Sequence, residues 1–92
     1  MNKRKENVSI EPMENIILLN DNYKDKGLRK GYIGTIMDNY IEKFGYVIAD
    51  FSNPITGECI QPAVEIRKDD FRIYSGNLED RKIGKAFKDL FK

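Results

Sequence analysis

The stretch that decides the fold is residues 14–38, ENIILLNDNYKDKGLRKGYIGTIMD. Its apolar run from Asn15 to Leu19 has the length and the β-branched content of a buried strand. A charged loop follows, and the paired glycines of the segment GYIG then lead into a second strand that continues to about Tyr40. The stretch therefore predicts a hairpin-like unit with a long loop, and the later strands need this unit to pair with.

The start of the second strand carries two isoleucines that are three residues apart. Strict alternation along a strand would place Ile33 and Ile36 on opposite faces of the sheet. A glycine inside the start of a strand often marks a bulge. We therefore predict a bulge near Gly34 or Thr35 that lets both isoleucines point inward.

The segment 44–51, FGYVIADF, is rich in aromatic and β-branched residues and predicts a third strand. Its alternation leaves two sets of core-facing residues open, either Val47, Ala49 and Phe51 or Tyr46 and Ile48. The segment 52–58, SNPITGE, has the Asn-Pro and Thr-Gly pairs of a turn.

Two further strands are predicted after this turn. Residues 60–66 alternate between apolar and other side chains, but Pro62 cannot donate a ladder hydrogen bond and indicates an edge strand or a break. Residues 71–74 form a last short strand after the charged corner 68–70. Five short strands with tight turns predict a small, mostly antiparallel barrel.

The chain changes its hydrophobic period after Gly76. Asn77 can cap a helix, and the apolar residues that follow share one helical face: Ile83, Ala86, Phe87, Leu90 and Phe91. We predict a short amphipathic helix that packs on the barrel and covers an open end of it. The expected organisation is a flexible tail over residues 1–13, the barrel over residues 14–75 and the helix over residues 76–92.

Length and composition limit the classes of function. The 92 residues have room for one domain, and 16 Lys and Arg residues balance 15 Asp and Glu residues. This balance argues against a dedicated DNA-binding domain, which is expected to be clearly basic. The lone Cys59 excludes an intrachain disulfide and fits a reducing compartment. No secretory signal and no membrane-spanning run is visible, so we expect a cytoplasmic protein without membrane association.

The residue types argue against catalysis. The chain has no histidine, which excludes Ser-His-Asp and Cys-His catalysis and removes the commonest metal ligand. One cysteine cannot build a thiolate zinc cluster. The adjacent carboxylates at 69–70 and 79–80 are interpreted as a solvated corner and a helix N-terminus. We therefore predict that the protein is not an enzyme and uses no cofactor and no metal.

Several glycines and core positions follow a familiar order, namely Gly27, Leu28, Lys30, Gly31, Gly34, Thr35 and Ile36, then Ala49-Asp50-Phe51, then Asp70-Phe71-Arg72. In this order the chain resembles the DUF4926 family of small bacterial SH3-like barrel domains over roughly residues 14–74. The sequence differs from the family pattern at Tyr32, where an acidic residue is usual. The resemblance implies an SH3-like barrel that acts as a binding module. Some small proteins of this kind are encoded beside toxins as immunity proteins.

Tyrosines and cations on the first long loop and the adjoining hairpin form the candidate partner-binding surface, namely Tyr23, Lys26, Arg29, Tyr32, Tyr40 and Tyr46. Tyr and Arg are favoured anchors of protein interfaces, and mixed charges around them give selectivity. We predict a non-catalytic protein-binding module, with a toxin as one partner and an immunity or antitoxin role. Replacing Arg29 and Tyr32 together by alanine is expected to weaken partner capture while the fold stays intact.

The same residues leave a second function open. Tyrosines among lysines and arginines can stack nucleic-acid bases and neutralise phosphates. KOW domains, which are associated with transcription and translation, place such residues on SH3-like loops, so an RNA-binding KOW/SH3-like domain is the alternative. The acidic residues of the region favour the protein partner, namely Asp21, Asp25, Asp38 and Glu42. The sequence leaves the oligomeric state open.

Overall fold

The computed structural model describes residues 13–92, so the predicted tail, apart from Met13, lies outside the described residues. The strands within this range are β1 (Asn15–Leu18), β2 (Ile33–Tyr40), β3 (Tyr46–Ser52), β4 (Cys59–Arg67) and β5 (Phe71–Ile73). The helices are α1 (Ile41–Phe44) and α2 (Leu78–Asp89), and short 3-10 turns lie at Lys24–Lys26 and Lys68–Asp70.

Over residues 13–92 the protein is mainly β, as predicted, with five antiparallel strands in one sheet and a C-terminal helix. The strand order is β4-β3-β2-β1-β5, so β4 and β5 are the two edges. Only the 3-10 turn Lys68–Asp70 separates these two edge strands in sequence, and it brings them together at one end of the sheet. The sheet therefore curls around its buried face.

The main core lies on this buried face and receives side chains from all five strands. The cluster consists of Ile16, Leu18, Tyr23, Leu28, Ile36, Val47, Ala49, Phe51, Val64, Ile66 and Phe71. Val47, Ala49 and Phe51 are fully buried, which settles the choice that the alternation of β3 had left open. Burial of each large apolar side chain contributes roughly 1.5–3 kcal/mol, which fixes the register of the strands.

The prediction from Pro62 is confirmed, because β4 is an edge strand. Its register against β3 also shifts at this point, since Ala49 pairs with Val64 but Phe51 pairs with Gln61. Ala63 has a positive φ of 50°, and its backbone N–H donates to Asp50 Oδ1 at 2.7 Å instead of to a ladder carbonyl.

The bulge predicted near Gly34 or Thr35 was placed wrongly. Residues 33–35 pair regularly with β1, and the irregularity in β2 lies between Ile36 and Asp38. Ile36 faces the main core, whereas Ile33 faces the opposite side of the sheet, towards Gly84 of α2. Both isoleucines find apolar partners without a bulge, because the sheet is covered on both faces at this point.

Helix α2 lies on the face of the sheet opposite the main core, where it covers Ile17 and Ile33. The prediction that it covers an open end of the barrel was wrong. Outward-facing isoleucines on β1 and β2 need this cover. The side chain of Asn77 caps the helix by accepting the N–H of Asp80 at 2.8 Å. Phe87 is buried under the helix, but Leu90 on the predicted apolar face is 65% exposed.

Neither described helix has the length and apolar character that crossing a bilayer requires.

Candidate functional site

The structure divides the predicted contact residues among three environments, and the first is the core. Tyr23 is only 9% exposed, because its ring belongs to the main core. Its hydroxyl donates to Asp70 Oδ2 at 2.7 Å and accepts the backbone N–H of Arg67 at 2.9 Å. Burial raises the pKa of Tyr23 to about 12. Tyr23 is therefore a core residue, and we remove it from the contact surface.

Tyr32 occupies the second environment, beneath α2. Its ring centroid lies 4.9 Å from that of Phe87 and 6.1 Å from that of Phe91. Tilted and edge-on aromatic pairs of this kind stabilise packing beyond their buried area. Tyr32 thus helps to hold the helix on the sheet, and its ring is half-buried in this packing.

The third environment is an exposed aromatic cluster at the hairpin between β2 and β3. It consists of Tyr40, Phe44 and Tyr46, whose ring centroids lie 5.6 to 6.2 Å apart. Tyr40 is 39% exposed and Phe44 is 59% exposed. Two predicted contact residues therefore lie together in a group with a third ring.

Phe44 was missed by the sequence interpretation, which placed it at the start of a strand. It ends α1, the single helical turn at a segment predicted to be a short turn. Gly45 then takes a left-handed conformation with φ of 77°, and its N–H donates to the carbonyl of Ile41 at 2.9 Å. This reversal places Phe44 beside Tyr46, which is the cross-strand partner of Tyr40. In the sequence, the Phe-Gly pair after a short segment is the feature that could have indicated a helical turn ending at Phe44.

Lys26 and Arg29 are exposed on the loop between β1 and β2. Gly27, with φ of 80°, ends the 3-10 turn of this loop, and the N–H of Lys30 donates to Asp21 Oδ1 at 2.7 Å. The two cations therefore lie on a loop with internal hydrogen bonds rather than on a free tether.

The carboxylate of Asp70 binds three side chains of the same segment. Asp70 accepts hydrogen bonds from the side chains of Asn20 at 2.9 Å, Asn22 at 3.3 Å and Tyr23 at 2.7 Å. The hydrogen bond from Tyr23 is the largest of the influences that hold the pKa of Asp70 below its usual range. Sequence inspection interpreted Asp70 as a solvated corner, since nothing local shows that three loop residues converge on it.

The aromatic hairpin is tied to the same place. We call residues Lys68–Asp70 the central turn. Its first residue, Lys68, donates its N–H to the carbonyl of Gly45 at 2.9 Å, and its last residue, Asp70, binds the first loop. The exposed cations and the aromatic cluster are therefore carried by two loops that are anchored on one turn.

The surface around the aromatic cluster is mixed in charge. A hollow of about 390 Å³ beside the cluster is lined by Glu42 and Lys43 together with Asn39, Tyr40 and Phe44. Arg67 is the cross-strand partner of Tyr46 on β4. Apolar rings with charges of both signs nearby suit a partner that is itself amphipathic.

Within residues 13–92 no group of three or more acidic or cysteine side chains lies close enough to hold a metal ion. Cys59 is exposed at the start of β4, outside the aromatic cluster. Comparison of the chain with protein-family models, with curated proteins and with solved structures gives no match.

Proposed function

We propose that the protein is a non-catalytic protein-binding module. Its contact surface is the aromatic cluster, with Lys26 and Arg29 on the neighbouring loop. The observation that carries the proposal is the exposure of Tyr40 and Phe44, which leaves large apolar rings in water on a loop with defined geometry. Exposed aromatic groups with a polar rim are typical of protein interfaces, where such residues contribute most of the binding energy.

The class of partner follows from the charges beside the rings. Glu42 and Lys43 lie in one hollow, and Arg67 lies opposite Tyr46. A partner with a buried apolar anchor and charges of both signs would match this surface. An immunity or antitoxin role, in which the partner is a toxin, is supported by the resemblance of residues 14–74 to small bacterial SH3-like barrels. The exposed thiol of Cys59 supports a reducing, cytoplasmic location.

RNA binding is the second candidate function, because the same exposed rings offer faces for base stacking beside Lys43 and Arg67. Glu42 weakens this alternative, since a carboxylate in the same hollow repels phosphate.

The test is capture from a lysate of the source cell with the tagged full chain, in nuclease-treated and untreated halves. The expected result is a stoichiometric protein that survives nuclease and is lost when Tyr40 and Phe44 are both replaced by alanine. The matched control is Ile55→Ala, since Ile55 is also an exposed apolar side chain (50% exposed) but lies on the turn between β3 and β4.

Three results are informative. A toxin-like enzyme among the retained proteins would support the immunity role. Retained material that disappears with nuclease would support RNA binding instead. Capture that is unchanged in a folded Tyr40→Ala, Phe44→Ala variant would rule out the aromatic cluster as the contact surface.

A further inference from the structure

A groove of about 510 Å³ runs between helix α2 and the outer face of the sheet. One wall is the helix surface with Arg81, Gly84, Lys85 and Lys88. The floor and the opposite wall carry neutral polar and apolar groups, among them Asn15, Ile33, Thr35, Ser52, Asn53, Pro54 and Tyr74, with one carboxylate, Asp50. This groove is built from different residues than the aromatic cluster.

The helix wall presents a row of positive charge. Arg81, Lys85 and Lys88 are spaced four and three residues apart, so they lie on one side of α2. Arg81 and Lys88 make no ion pair with any residue of the part of the chain that is described, and Lys85 has a long, exposed contact of 3.5 Å with Asp89. These cations are available to a ligand.

The single carboxylate of the groove does not neutralise this row. Asp50 Oδ1 already accepts the N–H of Ala63 at 2.7 Å. Three cations and one carboxylate leave a net charge of +2 on the lining. The groove therefore attracts an anion.

Several polar groups that line the floor have donors to spare. The side-chain oxygen of Asn15 accepts from Thr35, and that of Asn53 accepts from the N–H groups of Ile55 and Thr56. Both amide NH₂ groups are then left as donors, together with the hydroxyl of Ser52. Cations and hydrogen-bond donors in the lining of one groove are complementary to the oxygens of a phosphate or carboxylate.

Gly84 keeps the groove wide at its centre. A Cβ at this position would lie 3.5 Å from the hydroxyl of Tyr74 and 3.7 Å from Cδ1 of Ile33. A methyl group would fit there in ordinary contact, so helix packing does not demand glycine. Because Gly84 carries no methyl group, space remains between the cations of the helix and the apolar side chains of the sheet.

We propose that this groove binds a phosphorylated organic molecule of nucleotide size. The phosphate would lie against Arg81, Lys85 and Lys88, whose guanidinium and ammonium groups suit phosphate oxygens. The organic part would lie on the apolar side chains Ile33, Pro54 and Tyr74. The volume of the groove is within the range of about 300–1,000 Å³ that is usual for small-molecule sites.

The test is calorimetric titration of the full chain with the mono- and diphosphates of adenosine and guanosine. Adenosine and inorganic phosphate are the reference compounds, since they carry the organic part and the charge separately. We expect at least one nucleotide to bind about tenfold more tightly than either reference compound, because both halves of the groove contribute.

Matched variants locate the binding. Arg81→Gln and Lys88→Gln are each expected to weaken nucleotide binding at least about fivefold through the loss of a charge-assisted hydrogen bond. Lys82→Gln is the control, since it removes the same charge from the same helix but does not line the groove. Gly84→Ala is expected to weaken binding by filling the groove without lowering the thermal unfolding temperature.

Two outcomes would overturn the proposal. The first is that no nucleotide binds more tightly than inorganic phosphate. The second is that Lys82→Gln weakens binding as much as Lys88→Gln does, which would show general attraction to a basic helix. Circular dichroism of each variant confirms that the comparison is made between folded proteins.

Discussion

Oδ1 of Asp80 lies 2.6 Å from Nη2 of Arg72, although Asp80 is fully buried and the Arg72 side chain is 37% exposed. At this distance the guanidinium and the carboxylate form an ion pair. Oδ2 of Asp80 accepts the N–H and the O–H of Ser75. The Arg72 guanidinium, followed by Ser75, lowers the pKa of Asp80 to about 2 against the opposing effect of burial. The pair joins α2 to β5.

This pair predicts a loss of stability in acid. The pKa of Asp80 is below its ordinary value of 3.8, so the pair stabilises the fold above about pH 4. That contribution disappears as the pH falls through about 2. We expect Asp80→Asn to lower the thermal unfolding temperature at neutral pH by about 5–10 °C and to flatten its dependence on pH between about 4 and 2.

The measurement is thermal unfolding followed by circular dichroism over that pH range. Glu79→Gln is the control, since Glu79 is an exposed acid in the same helical turn, and we expect a shift below about 2 °C. An Asp80→Asn variant with the full acid sensitivity of the wild type would contradict the assignment.

The sequence suggested that replacing Tyr32 together with Arg29 would leave the fold intact, but the position of Tyr32 in the structure predicts a loss of stability. Its ring packs on Phe87 and Phe91, so Tyr32→Ala removes the aromatic contacts between these two rings and the residue that precedes β2. We expect a loss of about 2–3 kcal/mol in the free energy of unfolding, measured by urea denaturation. Tyr40→Ala at the exposed cluster is expected to cost less than about 1 kcal/mol. Equal costs for the two variants would show that the helix does not depend on Tyr32.

Much of the fold could be predicted because its signals are local. The apolar run at 15–19, the proline in β4 and the period of residues 83–91 each identify an element through neighbouring residues. That the sheet is covered on both faces depends on residues far apart in the sequence. Ile33 can therefore face the helix, and no bulge is needed between Ile33 and Ile36.

The candidate site was predicted in part for the same reason. Tyr40 is exposed and Tyr46 is half-buried, but a tyrosine in a charged loop gives no sign that its ring is buried, as Tyr23 is. Asp80 likewise resembles any acid in a first helical turn, and its partner Arg72 is on another element. Long-range partners of polar side chains were the information that the sequence lacked.

The hydroxyl of Tyr23 predicts a loss of stability in alkali. Its pKa is raised to about 12, above the ordinary 10.0, so ionisation favours the unfolded chain as the pH rises from about 10 to 12. Tyr23→Phe removes this source of alkaline sensitivity. It also leaves the N–H of Arg67 and the carboxylate of Asp70 without this partner, which we expect to cost about 1–3 kcal/mol at neutral pH.

Denaturant titrations at about pH 7 and pH 11 measure both effects. Tyr74→Phe is the control, because the Tyr74 hydroxyl makes no hydrogen bond within residues 13–92. A Tyr23→Phe variant that matches the wild type at both pH values would refute the role of the hydroxyl.

Replacing Gly34 or Gly84 by alanine is expected to change the free energy of unfolding in opposite directions. A Cβ on Gly34 would lie 2.7 Å from two ring carbons of Phe51, which is fully buried and cannot move aside. We expect Gly34→Ala to cost about 1–3 kcal/mol through overpacking. Gly84→Ala meets no such obstacle in the middle of α2 and is expected to add about 0.5–1 kcal/mol.

Chemical denaturation of the two alanine variants beside the wild type is the measurement. A stable Gly34→Ala variant would mean that the strand can shift away from Phe51. A destabilised Gly84→Ala variant would mean that the helix lies closer to Tyr74 than the distances show.

The central turn has an energetic consequence for recognition. Asp70 and Lys68 fix both loops in the free protein. If the proposed contact surface binds a partner, it is therefore preorganised, and association would have less chain entropy to overcome. A partner should therefore meet nearly the same backbone in the free protein as in the complex. On the proposed function, affinity would then depend in part on a carboxylate outside the aromatic cluster, and loosening that carboxylate would weaken binding without removing any contact of the cluster itself.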